Sequence, residues 1–361
     1  MKPHKESQLE SIVTKEANIL NDEQRKIQVT GGSTFILSIP KQWATKNELK
    51  RGSSIIVREE ENGSLSITPA TYPKKIKHDE AYIRVTEKDN PYAITRTAIS
   101  AYLSGYNMIH IKVQGQKALS SKLRNHIKHF ARNYLVGTEI VIDIPTELTL
   151  QVLLNYPELT VQNALSRMAI ISSSMQKEAL QALTQLDYIT AKSVIETDRE
   201  VNRFGLYIVR LLKLAVSNQR IVKEIGLNSQ RECLGYRLIA KSVERTADHA
   251  TKIAQNTLSL KQQVDIKLLE KVGELSNLAN SMFENSVDAL FKHNFNSAEV
   301  VIERLCEVNK LEKETLLCLP NANAEEIVKL RLIIESVRRI AEYASDISEV
   351  VLNFNVESVL G

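Results

Sequence analysis

Arg237-Leu238-Ile239-Ala240-Lys241-Ser242-Val243-Glu244-Arg245-Thr246-Ala247-Asp248-His249-Ala250-Thr251-Lys252-Ile253 is a stretch that this chain writes twice. A shift of 94 positions lays Arg237, Ser242-Val243, Arg245, Ala247, Ala250 and Ile253 on Arg331, Ser336-Val337, Arg339, Ala341, Ala344 and Ile347. A shift of 107 lays Ser174-Met175, Ala182-Leu183, Val194-Ile195-Glu196 and Glu200-Val201-Asn202 on Ser281-Met282, Ala289-Leu290, Val301-Ile302-Glu303 and Glu307-Val308-Asn309. The two shifts differ, so the first copy carries extra residues between its second and third segments, around Val216 to Gln230. A unit of roughly ninety to a hundred residues exceeds the usual solenoid periods and reads as two tandem small domains.

From Val161 onward the apolar residues recur at helical spacing. Three helices are expected in each copy: about 160–186, 188–217 and 231–258, then 266–293, 295–318 and 324–354. Glycine is sparse, and Pro320 falls at a predicted turn. Long amphipathic helices with short connections imply tandem all-α three-helix bundles, over 155–260 and 264–355.

Working back toward the start, residues 73–148 read as a βαβαβ unit. Its strands are expected at 81–85, 108–113 and 138–144, closing at Pro145, with helices at 92–103 and 119–134. The second helix carries Lys122, Arg124, His126, Lys128, His129 and Arg132. His126 and His129 lie three apart without a third metal ligand nearby. Before this unit, 26–29 and 34–39 alternate about Gly31-Gly32, and 54–58 and 64–68 alternate about Glu61-Asn62-Gly63. These are hairpin signatures. Pro40 to Ala44 reads as one helical turn, Trp43 as core, and residues 1–24 as polar and either loose or weakly helical. About forty-five residues in short strands bury little surface alone, so pairing with a second copy is expected.

The formal net charge is +4. Residues 74–134 hold twelve Lys or Arg against four Asp or Glu, whereas 151–361 hold 25 against 27. The basic face is either solvated or meets an anionic partner. Cys233, Cys306 and Cys318 show no paired spacing, which fits buried thiols in a reducing compartment. The opening MKPHKESQLE lacks an apolar core and no run reaches membrane-spanning length, so a cytoplasmic protein, not membrane-embedded, is expected. No Walker sequence, GxGxxG, catalytic triad or acid–base pair stands out, and no enzyme is expected.

Asp198 and Asn202 lie four apart on one predicted helix, and Glu244 and Asp248 four apart on another. Two such faces meeting across a bundle would be rich in oxygen, suiting iron, manganese or magnesium. The same acids could instead be solvated partners of Arg199, Arg203 and Arg245.

The string Val243 to Ala254, with the paired Glu-Val-Asn strings, resembles the PhoU family over about 155–355. That resemblance implies two tandem three-helix bundles, a regulator of phosphate uptake and homeostasis, and a divalent metal or iron on the carboxylate face of bundle 1. It places Asp198, Asn202, Glu244 and Asp248 on the motif; Asn202 departs from the acidic ideal. In the second copy Leu305 and Arg338 replace Asp198 and Glu244, so that site is expected to be lost unless Glu303, Glu307 and Asp346 rebuild it. Residues 25–70 resemble the SpoVT/AbrB swapped-hairpin domain through Ser38-Ile39-Pro40-Lys41 and Leu49-Lys50-Arg51-Gly52, with Ser53 where that family has an acid. This implies a homodimer that binds DNA, with Arg25, Lys26, Lys41, Lys46, Lys50, Arg51 and Arg58 as candidate phosphate contacts. The expected protein is a dimeric transcriptional regulator of phosphate uptake. The alternative is an interaction protein that modulates a phosphate transporter without DNA.

Overall fold

The computed structural model of the protein describes residues 24–59, 63–70, 80–86, 88–115, 118–154, 156–319 and 324–360. The segment expected to be loose at 1–24 lies outside the described residues but for its last position; Glu61-Asn62 and Pro320 also lie outside. The chain forms two compact units divided at residue 77.

In the first unit β1 (Gln28–Thr30) and β2 (Thr34–Ile36) form one antiparallel hairpin, and β3 (Ile55–Glu59) and β4 (Leu65–Pro69) another. Gly31 and Gly32 close the first at φ +61° and +83°, a region that side chains bearing a Cβ avoid. A short helix α1 (Lys41–Lys46) begins after Pro40, whose fixed φ suits a helix entrance. The two hairpins are separate two-stranded sheets. Their apolar side chains face outward: Ile27, Val29, Phe35, Val57 and Leu65 are all more than half exposed, Phe35 by 73%. Trp43, expected in a core, is only half-buried.

The second unit opens with a sheet in the order β5 (Glu80–Val85), β6 (Met108–Val113), β8 (Glu147–Val152), β7 (Thr138–Ile144). β5 and β6 run parallel through the crossover helix α2 (Pro91–Leu103); the other pairings are antiparallel. β8 is absent from the expected βαβαβ order and carries the sheet beyond residue 148. Leu148, Leu150 and Val152 alternate with polar residues as a strand should, but Pro145 suggested an end. Proline instead occupies the two-residue turn between β7 and β8, where no ladder N–H is required. α2 and α3 (Ser121–Tyr134) cover one sheet face, burying Tyr102, Ile127, Phe130 and Ala131 on Ile109, Ile111, Leu148 and Leu150. The opposite face carries Tyr82, Arg84, His110, Lys112, Glu147 and Thr149.

The helical part follows the expected pattern, with two differences. Its helices are α4 (Val161–Gln185), α5 (Tyr188–Ser217), a short α6 (Gln219–Glu224), α7 (Glu232–Leu258), α8 (Ile266–Phe291), α9 (Phe295–Glu303), α10 (Leu305–Leu317) and α11 (Ala324–Asn355). The short α6 occupies the extra residues of the first copy. The helix expected at 295–318 is broken at Arg304, where the Glu307 N–H turns back to the Arg304 carbonyl at 3.1 Å, three residues away. Arg304 also reaches Ser281 Oγ at 3.0 Å and Glu307 at 3.6 Å, which holds the tighter turn in place.

The two bundles are not separate bodies. α4 packs on α8, and α7 on α11, so that both copies share one continuous core. The contacts at this seam join residues related by the duplication. Ser173 donates to Asn280 at 3.1 Å and Lys177 pairs with Glu284 at 2.8 Å, each 107 apart. His249 and Tyr343, 94 apart, bring their rings to 5.7 Å. Equivalent residues meet in this way only near a two-fold axis, so the copies pack as two subunits of an isologous dimer would. Gly235 sits where α7 meets α11; a Cβ there would collide with the Phe354 ring and lie 2.8 Å from Val350 Cγ1.

A buried arginine joins the sheet layer to the first bundle. Arg210 of α5 is fully buried, with no carboxylate partner among the described residues. Its guanidinium donates to the carbonyls of Tyr102, Tyr106 and Gly105 and to Asn107 Oδ1, the last at 2.8 Å, and lies over the Tyr102 ring. These acceptors cluster at and just beyond the C-terminal end of α2, where the helix dipole favours a cation.

Candidate functional site

The four predicted site residues lie on the facing sides of α5 and α7. Helical spacing sets Asn202 one turn beyond Asp198, and Asn202 Nδ2 donates to Asp198 Oδ2 at 2.6 Å. The other oxygen, Asp198 Oδ1, is buried without a hydrogen-bond partner. Across the groove Glu244 and Asp248 are half-buried on α7. Burial, then the Asp248 charge, push the Asp198 carboxyl up to about 6; Asn202 opposes this and Glu244 adds to it. Burial and Glu244 likewise raise Asp248, against Lys241, Lys252 and Arg245. Three carboxyls therefore share one half-buried groove, where burial and neighbouring acids disfavour the charge on Asp198 and Asp248.

Two residues that the sequence reading passed over shape this groove. Lys241, one turn before Glu244, holds Glu244 Oε1 at 2.6 Å. Gly205 on α5 faces the other oxygen: a Cβ there would lie 3.7 Å from Glu244 Oε2 and 3.6 Å from Met168 Cε. A methyl at this position would touch both neighbours at ordinary contact distance, so Gly205 marks how closely Glu244 approaches α5. His249 turns away, toward Tyr343, and its imidazole is pushed down to about 4 by burial and by Lys252, Arg339 and Arg338.

All-oxygen donors with an orphaned buried carboxylate oxygen fit a hard cation. As folded, Asn202 and Lys241 occupy two of those oxygens. Among the described residues no three His, Cys, Asp or Glu side chains are gathered closely enough to hold an ion.

The second copy replaces this arrangement with internal ion pairs. Arg338, at the place of Glu244, contacts Glu342, at the place of Asp248, and reaches Glu312 on α10 at 3.1 Å. Arg339 also holds Glu342, at 2.9 Å. Of the residues named above for a rebuilt site, Glu307 pairs with Arg304, while Asp346 is raised by burial and by Glu349 and Glu342 against the charge of Arg245.

In the first unit all seven predicted basic residues, Arg25, Lys26, Lys41, Lys46, Lys50, Arg51 and Arg58, are exposed. They face two acidic residues among the described part of that unit, Glu48 and Glu59. Ser53, the departure from the resembled pattern, accepts the Lys50 N–H on Oγ at 2.9 Å. A hydroxyl oxygen closes the turn there, beside Gly52 at φ +86°.

The basic helix α3 holds no histidine pair. His126 contacts Thr95 at 3.1 Å and the edge of Tyr92, and His129 contacts Asn133 at 3.1 Å. Arg124 and Lys128 both hold Asp143 of β7. Of the three cysteines only Cys233 is buried; Cys306 is exposed.

The sequence model of the PhoU domain matches residues 165–257 and 272–351, the two copies of the duplication. The helical half of this chain is a PhoU domain pair. A second model, for the bacterial antitoxin MazE that recognises its toxin, matches 28–75, so a MazE/AbrB-like domain precedes the PhoU pair. The phosphate-specific transport system accessory protein PhoU homolog of Clostridium acetobutylicum is 25% identical over 171 residues, 47% of this chain and 76% of that one. The phosphate transport system regulatory protein PhoU from Streptococcus pneumoniae aligns with TM-score 0.47 and 18% identity, covering 56% of this chain and 96% of that one. PhoU from Pseudomonas aeruginosa aligns with TM-score 0.48 and 19% identity, covering 55% and 96%. Among the described residues no helix is long and apolar enough to cross a membrane.

Proposed function

We propose that this protein is a cytoplasmic, dimeric DNA-binding regulator of phosphate uptake, in which the PhoU pair reports phosphate status and the MazE/AbrB-like unit contacts a promoter. The observation that carries the reading is the surface of the first unit. Its two hairpins expose Ile27, Val29, Phe35, Val57 and Leu65 instead of burying them. A second copy of the unit is the partner that covers such faces without leaving strand edges open. The seven exposed bases supply the charge for phosphate contacts.

On the carboxylate groove of the PhoU pair, Asp198, Glu244 and Asp248 would have to draw closer and release Asn202 and Lys241 to hold a divalent cation or iron. The ion would supply positive charge to three acids that now repel one another. Regulation, not turnover, is the role assigned to it.

Binding of the full-length protein to promoter DNA from phosphate-uptake genes, followed by fluorescence anisotropy against salt, tests the reading. Several phosphate contacts per dimer give a log–log slope of roughly −0.9 per contact, so affinity falls by about 10³ or more between 50 and 200 mM salt. Absence of binding at low salt, or a flat salt response, refutes the DNA contact and leaves the alternative, a protein that acts on a phosphate transporter directly.

A further inference from the structure

The two edges of the four-stranded sheet are built differently. β7 carries a bulge between Ile140 and Ile142, and it bears Glu139 and Asp143. The bulge breaks the regular row of backbone groups that a second strand would need, which protects that edge. β5 at the other edge runs regularly from Glu80 to Val85, without bulge or proline.

The backbone of β5 is oriented for a partner. The Val85 carbonyl accepts the Gln114 N–H at 2.9 Å, so the backbone groups of Val85 face β6. Backbone groups alternate along a strand, so those of Glu80, Tyr82 and Arg84 point out from the sheet. No described residue hydrogen-bonds to them. The side chains of the same three residues lie on the face away from the helices and are exposed. Tyr82 is 58% exposed, yet its ring is fixed, stacked on His110 with centroids 4.6 Å apart. Its hydroxyl donates to Glu80, whose carboxylate lies 3.7 Å from His110 Nε2. Arg84 has no hydrogen-bond or ion-pair partner among the described residues.

Glu80-Ala81-Tyr82-Ile83-Arg84 is complementary to itself when reversed. An antiparallel two-fold through Tyr82 sets Glu80 opposite Arg84 of the second copy, Tyr82 opposite Tyr82, and Ala81 opposite Ile83. Each outward-facing pair then exchanges both of its N–H···O bonds. A parallel pairing in register would instead set Glu80 on Glu80 and Arg84 on Arg84. A slip of two residues would set Tyr82 against a charge.

We infer that β5 pairs with β5 of a second copy, antiparallel about Tyr82, so that the two α/β layers share one continuous sheet. The partner is this chain itself, selected by the Glu80–Arg84 complementarity. The inference stands on β5 alone and does not depend on DNA binding. Dimerisation of the first unit would assist it, because β4 ends at Pro69 and β5 begins at Glu80, so a copy held through the first unit raises the local concentration of the second strand.

Amide hydrogen exchange of the full-length protein, resolved within β5, tests it. In the wild type the outward amides of Glu80, Tyr82 and Arg84 should exchange about 100-fold or more slowly than those of a free strand edge. Arg84→Glu and Glu80→Arg each set like charges together and should lose that protection, while β6 and α2 stay protected as the measure of an intact layer. The two variants mixed and equilibrated form complementary pairs and should regain it. Free-edge exchange in the wild type, protection that survives either single variant, or a mixture that stays fast with β6 intact each overturns the pairing. Dimerisation through the first unit alone does not slow these amides.

Discussion

Replacing Asp198 by asparagine should stabilise the metal-free protein, although it removes a predicted functional residue. The Asp198 carboxyl is pushed to about 6 from an ordinary 3.8, first by burial and then by Asp248. Between pH ~4 and ~6 the folded chain therefore holds a proton that the unfolded chain has released. Its stabilising effect is complete at the acid end and is lost as pH rises through about 6. A shift of this size corresponds to at most about 3 kcal/mol at neutral pH. Half-exposure and solvent screening reduce the expected effect to about 1–2 kcal/mol. The substituted amide has the same shape as the carboxyl, carries no charge and can still accept from Asn202. Thermal unfolding followed by helical circular dichroism, with chelator present, should put the variant roughly 2–8 °C above the wild type at pH 7.5. The gap should close near pH 4. A variant less stable than the wild type at pH 7.5, or a gap independent of pH, would refute the reading of Asp198 as a crowded, buried acid. If the groove takes a cation, manganese or iron(II) should raise the wild-type midpoint and leave Asp198→Asn nearly unmoved.

Arg210→Met strips the cation from the carbonyl cluster after α2 and leaves those acceptors buried. A loss of about 3–5 kcal/mol, with faster amide exchange confined at first to residues 102–107, is the expected outcome in denaturant titration. Gly235→Ala forces a methyl against Phe354 and Val350 and should cost about 1–3 kcal/mol, read in the same titration. Arg338→Leu leaves Glu312 and Glu342 facing each other without their shared cation. Arg339 still holds Glu342, so the loss falls mainly on Glu312 and should be about 1–2 kcal/mol in the same titration; an unchanged midpoint would mean that the Arg338 ion pairs do not stabilise the fold.

How far the chain was legible differs from element to element. Helices 188–217 and 324–355 and strands 108–113 and 138–144 follow from periodicity, because one face of each is buried over several turns or pleats. β8 was hidden behind Pro145, since a proline in a tight turn and a proline ending a domain look alike in one dimension. The break at Arg304 left no glycine or proline to mark it; it is held by Ser281 and Glu307, residues brought close only by folding. In the groove, Asp198, Asn202, Glu244 and Asp248 could be chosen by spacing of four and by family resemblance. Lys241 lies at an equally legible helical spacing before Glu244, whereas the closeness of Gly205 to Glu244 depends on the packing of α5 on α7.

The sequence alone determined the duplication, the helical nature of both copies, and the loss of carboxylates from the second, because these depend on residue identity and local period. Tertiary structure alone decided that the copies share one core about a two-fold axis, that Asp198 is an acid with a raised pKa, and that the outward backbone groups of β5 have no partner among the described residues. Each of those depends on which surfaces lose water to one another: burial sets the pKa of Asp198, the His249–Tyr343 contact marks the axis, and hydrogen-bond direction at Val85 exposes Glu80, Tyr82 and Arg84.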